Sequence, residues 1–85
     1  MSYEVLTTRK ANKAIARLPG TAYQRVKDAI KDLANDPRPP GCGKLSGREG
    51  YRIRVGDYRI IYRVNDQART VEVFRVAHRG DAYGR

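Results

Sequence analysis

Apolar residues recur along this chain with two different periods. Over residues 9–18 they fall at Ala11, Ala14, Ile15 and Leu18, the i, i+3, i+4, i+7 pattern of one helix face, with Arg9, Lys10, Asn12, Lys13 and Arg17 elsewhere. That spacing predicts an amphipathic helix with Thr7 or Thr8 as its N-cap. Pro19-Gly20 stops it. A second helix is expected to follow, capped by Thr21, with Ala22, Val26, Ala29, Ile30 and Leu33 on its apolar face. Asn35-Asp36-Pro37 ends that helix, because the residue before a proline is pushed out of the α region. Ahead of both, Tyr3-Glu4-Val5-Leu6 suits a short first strand. Residues 37–43, rich in Pro and Gly, read as a crossover loop.

From Tyr51 the period changes to two. Tyr51-Arg52-Ile53-Arg54-Val55 alternates apolar and basic residues, as a half-buried strand does. Gly56-Asp57 suits a two-residue turn, with Gly56 at positive φ. Strands are expected from Tyr58 to Val64 and from Thr70 to Ala77, joined by the turn at residues 65–69. The order β-α-α-β-β-β predicts an α+β fold, with a helical hairpin packed on one face of a small twisted antiparallel sheet. At 85 residues the chain is read as a single domain, residues 1–85.

Composition narrows the function. There are 18 Lys+Arg against 9 Asp+Glu, a net charge of +9. Such an excess points to a polyanionic partner. Residues 44–85 carry nine arginines and a single lysine, Lys44. Arginine grips phosphate with a planar fork of donors, although a coding bias from Lys to Arg would leave the same composition. One Cys and one His make a metal site unexpected, and no cofactor is anticipated. No apolar run reaches the roughly 18 residues of a membrane span, and Met1-Ser2-Tyr3-Glu4 lacks a signal-peptide layout, so a cytoplasmic protein is expected.

The two-residue turn fixes a register by counting. Val55 faces Tyr58, Arg54 faces Arg59, Ile53 faces Ile60, Arg52 faces Ile61 and Tyr51 faces Tyr62. Tyr51, Ile53, Val55, Tyr58, Ile60 and Tyr62 then share the face that meets the helices. Arg52, Arg54, Arg59, Ile61 and Arg63 share the other. Two arginines directly opposite one another destabilise a sheet by roughly 0.2–1 kcal/mol, so an anion is the natural third party. On the last strand, Phe74 and Val76 suit the core, while Val71, Val73, Arg75 and Ala77 take the basic face. A five-residue loop sets Arg75 opposite Arg59, with Arg79 further along. An ordinary solvated strand face is the plain alternative. Lys44 and Arg48, in the approach to the sheet, are added as RNA contacts. The basic side of the first helix is either a ribosomal RNA contact or simply solvated.

The runs Lys44-Leu45-Ser46-Gly47 and Tyr51-Arg52-Ile53-Arg54-Val55-Gly56-Asp57-Tyr58-Arg59-Ile60-Ile61-Tyr62, with Ala77-His78-Arg79 and Tyr83, resemble the RelE/ParE superfamily of toxin–antitoxin toxins. The resemblance covers nearly the whole chain. It implies a type II toxin of the RelE kind, a ribosome-dependent endoribonuclease that cuts mRNA in the A site. Its partners would be a cognate antitoxin and mRNA on the ribosome, with promoter DNA bound only as the toxin–antitoxin complex. It implies catalytic roles for Arg54, Arg59, Arg79 and Tyr83, with Arg52 beside them. Two rivals stay open: a ParE-type inhibitor of DNA gyrase, and a non-catalytic nucleic-acid-binding module.

The residue types suit cleavage of RNA by its own 2′-OH. That reaction needs a base, a stabiliser for the phosphorane charge and an acid for the leaving 5′-oxygen. Arginine, with a pKa above about 12, is a poor base but a good charge clamp. Arg54 and Arg59 therefore suit the phosphorane, and Arg52 and Arg75 the RNA backbone. Arg79 suits the scissile phosphate, and Tyr83 suits a base or a stacking group. His78 is pointed to the other face by strand parity.

Overall fold

The computed structural model describes residues 2–78. The elements are β1 (Glu4–Thr7), α1 (Arg9–Ala16), α2 (Gly20–Asp32), β2 (Gly43–Lys44), β3 (Tyr51–Val55), β4 (Tyr58–Asn65) and β5 (Thr70–His78). The strands form one sheet in the order β1-β5-β4-β3-β2. This is the α+β arrangement expected from the alternating periods, with two additions. The two-residue β2 forms within the crossover and pairs antiparallel with β3. β1 joins β5 in parallel, so the sheet is mixed. A parallel neighbour needs a long crossover, and the two helices and the hairpin strands supply it.

Local chemistry explains the helix ends. Thr8 is extended, and its hydroxyl accepts a hydrogen bond from the Ala11 N–H at 3.2 Å, so it is the N-cap of α1. Thr21 does not cap α2. Pro19 takes that position, with φ −66°, and its carbonyl already accepts from the Tyr23 N–H at 2.7 Å. Gly20 and Thr21 are thus inside the helix, because the proline is pre-set for the start of a helix.

The core lies between the helices and one sheet face. Ala11 and Ile15 of α1 and Val26 and Ile30 of α2, with Leu33 just after it, pack against Ile53, Ile60, Tyr62, Val71, Val73 and Val76. Tyr62 is fully buried; its hydroxyl donates to the Pro37 carbonyl at 2.7 Å, and its ring stacks on Tyr51 at 5.9 Å. Burial, with Cys42 close by, pushes the Tyr62 phenol well above its ordinary pKa. The crossover is therefore tied beneath the sheet. Arg38 completes the tie: its guanidinium sits over the Tyr51 ring, donates to the Tyr51 hydroxyl at 3.0 Å and meets Asp66 at 2.9 Å. Tyr3 donates to the same carboxylate at 2.6 Å. These two donors hold the Asp66 carboxyl below its ordinary pKa.

The β3–β4 register is the counted one, from Val55↔Tyr58 to Tyr51↔Tyr62, and Gly56 takes φ 59° in its turn. The β4–β5 register differs from expectation twice. Asn65 pairs with Thr70, so the loop is one residue shorter at that end. A bulge then lies opposite Ile61 and Tyr62: Tyr62 pairs with Val73 but Ile61 with Arg75, which leaves Phe74 as the extra residue. Val71 and Val73 are consequently buried in the core, not on the basic face. Phe74 is correspondingly not a core residue. Arg75 pairs with Ile61, and Ala77 takes the place opposite Arg59.

Candidate nucleic-acid interface

One sheet face packs on the helices, and the other carries the arginines in rows across the strands. Directly opposite residues in a sheet point to the same side. The first row runs Arg54–Arg59–Ala77, and the second runs Gly43–Arg52–Ile61–Arg75. Arg54 is exposed, whereas Arg59 is 5% exposed. The pair thus combines a fixed, enclosed charge with one that reaches into solvent. Enclosure strengthens the field of Arg59 at short range, because less water screens it.

Arg52 lies along β2. A Cβ on Gly43 would stand 2.8 Å from the Arg52 guanidinium carbon, so the glycine leaves the groove in which that side chain rests. Among the described residues neither Arg52 nor Arg54 forms an ion pair. Arg63, further along β4, does: it meets Glu72 at 3.1 Å.

A pocket of about 330 Å³ opens beside Ile61, lined by Lys10, Leu45, Ser46, Arg48, Phe74 and Arg75. Arg48 therefore joins the basic face through the loop before β3. Lys44 does not join it. It pairs with Tyr51, whose ring stacks on the buried Tyr62, so the register sets Lys44 on the helix side of the sheet. His78 likewise sits with Tyr58, the two rings edge to face at 5.4 Å, away from the arginine rows. Arg79 and Tyr83 lie outside the described residues.

Residues 5–83 match the family model described as the ParE toxin of the type II toxin–antitoxin system, parDE. The chain belongs to the RelE/ParE toxin family of type II toxin–antitoxin systems. Within it, the chain is 36% identical to the toxin RelG of Mycobacterium tuberculosis over the full length of both proteins. Its fold superposes on the toxin–antitoxin complex RelBE2 of the same organism with a TM-score of 0.82 and 29% identity, covering 93% of this chain and 100% of that one. The RelE–RelB complex of Pyrococcus horikoshii OT3 gives a TM-score of 0.80 and 30% identity, covering 94% of this chain and 98% of that one. Several structural relatives of this RelE/ParE toxin are thus known in complex with RelB antitoxins. No helix among its described residues is long and apolar enough to cross a membrane.

Two residues of the basic face were not picked out by the pattern of the sequence. Phe74 was assigned to the core by strict alternation, which a bulge breaks. Lys10 belongs to the basic side of α1, read from the sequence as either a ribosomal RNA contact or solvated; only the placement of α1 beside β5 brings it to the same pocket as Arg75.

Proposed function

We propose that this toxin is a ribosome-dependent endoribonuclease that cuts messenger RNA in the A site. The observation that carries the reading is the Arg54–Arg59 pair on the face of the sheet away from the helices. Like charges placed directly opposite one another across a sheet cost stability, and a bound phosphate offsets that cost.

In this reading the RNA 2′-OH attacks the adjacent phosphorus and forms a 2′,3′-cyclic phosphate, while the P–O bond to the 5′-oxygen of the next nucleotide breaks. Arg54 and Arg59 hold the negative charge that builds on the non-bridging oxygens. Arg52 and Arg75, in the neighbouring row, hold the flanking backbone, with Arg48 beside them. Arg79 donates toward the leaving oxygen. Tyr83 takes the 2′-OH proton. The ribosome holds the codon in the in-line geometry, which is where an enzyme built mainly of charge clamps gains most of its rate.

A cognate antitoxin neutralises the toxin. An acidic or amphipathic antitoxin segment laid over the arginine rows would compete directly with RNA. The complex, not the free toxin, would bind promoter DNA.

Primer extension on messenger RNA in programmed ribosomes tests the nuclease reading. Purified toxin is expected to produce new ends within the A-site codon, and Arg54→Ala and Tyr83→Ala to remove them. The matched family model favours one second reading, inhibition of DNA gyrase in the manner of ParE. Intact messenger RNA together with blocked supercoiling would select it.

A further inference from the structure

We propose that the pocket beside Phe74 is a nucleobase subsite, in which one base of the substrate RNA stacks on the Phe74 ring. The proposal rests on the nuclease reading and extends it to how the RNA is oriented. The bulge in β5 leaves Phe74 as the unmatched residue between buried Val73 and the outward Arg75. Its ring meets guanidinium groups from the basic face: Arg63 at 4.6 Å and Arg48 at 5.8 Å from its centre. An aromatic ring is therefore carried on the sheet face that is otherwise the most basic of the molecule. A bulge that re-aims a side chain in this way is a device, not a defect.

The surroundings fit a nucleotide. Phe74 and Ile61 give the pocket an apolar floor, and Lys10, Arg48 and Arg75 give it three cations. Among the described residues no carboxylate lines it. A second groove on the molecule, beside Leu6, is lined by Glu49, Asp66 and Glu72 as well as Arg63, and would repel a polyanion. At about 330 Å³ the Phe74 pocket lies at the small end of the range for small-molecule sites. Its position is right for a neighbour of the scissile phosphate. Ile61 and Arg75 belong to the row next to Arg54–Arg59, two residues or about 7 Å along the strands. One nucleotide covers such a span. A base held there fixes which phosphate reaches Arg54. Stacking on an aromatic ring accepts any base face, with the cations supplying the backbone contact.

The test measures single-turnover cleavage of end-labelled messenger RNA in programmed ribosomes. The A-site codon is used intact and with each base removed in turn, against wild type, Phe74→Ala and Phe74→Tyr. In wild type, removal of one particular base is expected to slow cleavage about 10-fold, in keeping with base–aromatic stacking. Phe74→Ala should slow the intact codon by a similar factor and become indifferent to that removal. Phe74→Tyr, which keeps the ring, should behave as wild type. The non-additivity is the signature, since a merely misfolded Phe74→Ala would be slow yet still sensitive to the missing base. Retained sensitivity in Phe74→Ala overturns the subsite while the nuclease reading stands. So does a defect equal for all codons that only raised salt reproduces in wild type, because that marks plain phosphate contact. No cleavage by wild type overturns both.

Discussion

Arg38 rests on strand β3 through Tyr51 and Arg54 belongs to that strand, and both are exposed, yet their surroundings are opposite. Arg38 has a carboxylate at 2.9 Å, a tyrosine hydroxyl at 3.0 Å and an aromatic face beneath it. Arg54 has another arginine across the strand and no ion pair among the described residues. The first arrangement satisfies a cation within the protein. The second leaves a cation to be satisfied from outside. The contrast separates an arginine that holds this fold together from one that, under the nuclease reading, is held out to RNA, and mutation can press on that separation.

The largest effect is expected from Arg54→Ala. Under the nuclease reading it should slow cleavage about 100- to 1,000-fold, the usual loss when a transition-state donor is removed. Its thermal midpoint should hold or rise, since a like-charge pair is relieved. A folded Arg54→Ala with normal cleavage, or one with a clearly lower midpoint, breaks the comparison. Next comes Tyr62→Phe, which keeps the ring but strands the buried Pro37 carbonyl; urea denaturation should show a loss of about 1–3 kcal/mol. Arg38→Ala is milder, because both partners in its ion pair are substantially exposed; a loss of up to about 1 kcal/mol is expected, with cleavage near wild type. Loss of cleavage in a stable Arg38→Ala would put Arg38 in the wrong class.

The smallest effect is a pH dependence. The folded Asp66 carboxyl lies below its ordinary value of 3.8, held there first by Arg38 and then by Tyr3. Its stabilising contribution is fully present above that ordinary value and is lost as pH falls through the lower, folded one. Asp66→Asn should therefore be the less stable protein near neutrality and draw level with wild type in acid. Thermal melts from neutral pH down to about pH 2 would show the two curves converging; parallel curves would remove Asp66 from the acid limb.

The same two regions show what a sequence makes visible. The β3–β4 pairing was legible residue by residue, because a two-residue turn at Gly56-Asp57 leaves only one register to count. The Arg54–Arg59 pair came with it. The β4–β5 pairing was not. Its loop holds one residue fewer than the count allowed, its bulge moves the register one residue further in the same sense, and neither has a compositional mark. The two shifts combine, so Arg75 lies on the basic face as expected while its partner changes from Arg59 to Ile61. Between the two shifts the parity is inverted, and Val71, Val73 and Phe74 fell on the wrong sides for that reason. The side of the sheet that Lys44 takes was not legible, because β2, two residues long, carries no periodic signal at all. The Arg38–Asp66 tie joins residues 28 positions apart, a contact that only the folded sheet creates.

The placement of β5 has a consequence for the life of the molecule as it is made. β5 is the last of the described strands to leave the ribosome, yet it lies inside the sheet, between β1 and β4. Among the described strands β1 pairs with β5 alone, and Val71, Val73 and Val76 of β5 are part of the floor on which the helices rest. Contacts so distant in sequence form late, since the chain between them must first be closed into a loop. The sheet that displays Arg54 and Arg59 is therefore incomplete until β5 has been made. A nascent chain that stops short of β5 holds the β3–β4 hairpin with Arg54 and Arg59 but lacks its central neighbour, and Arg75 joins the row of Arg52 only once β5 is in place.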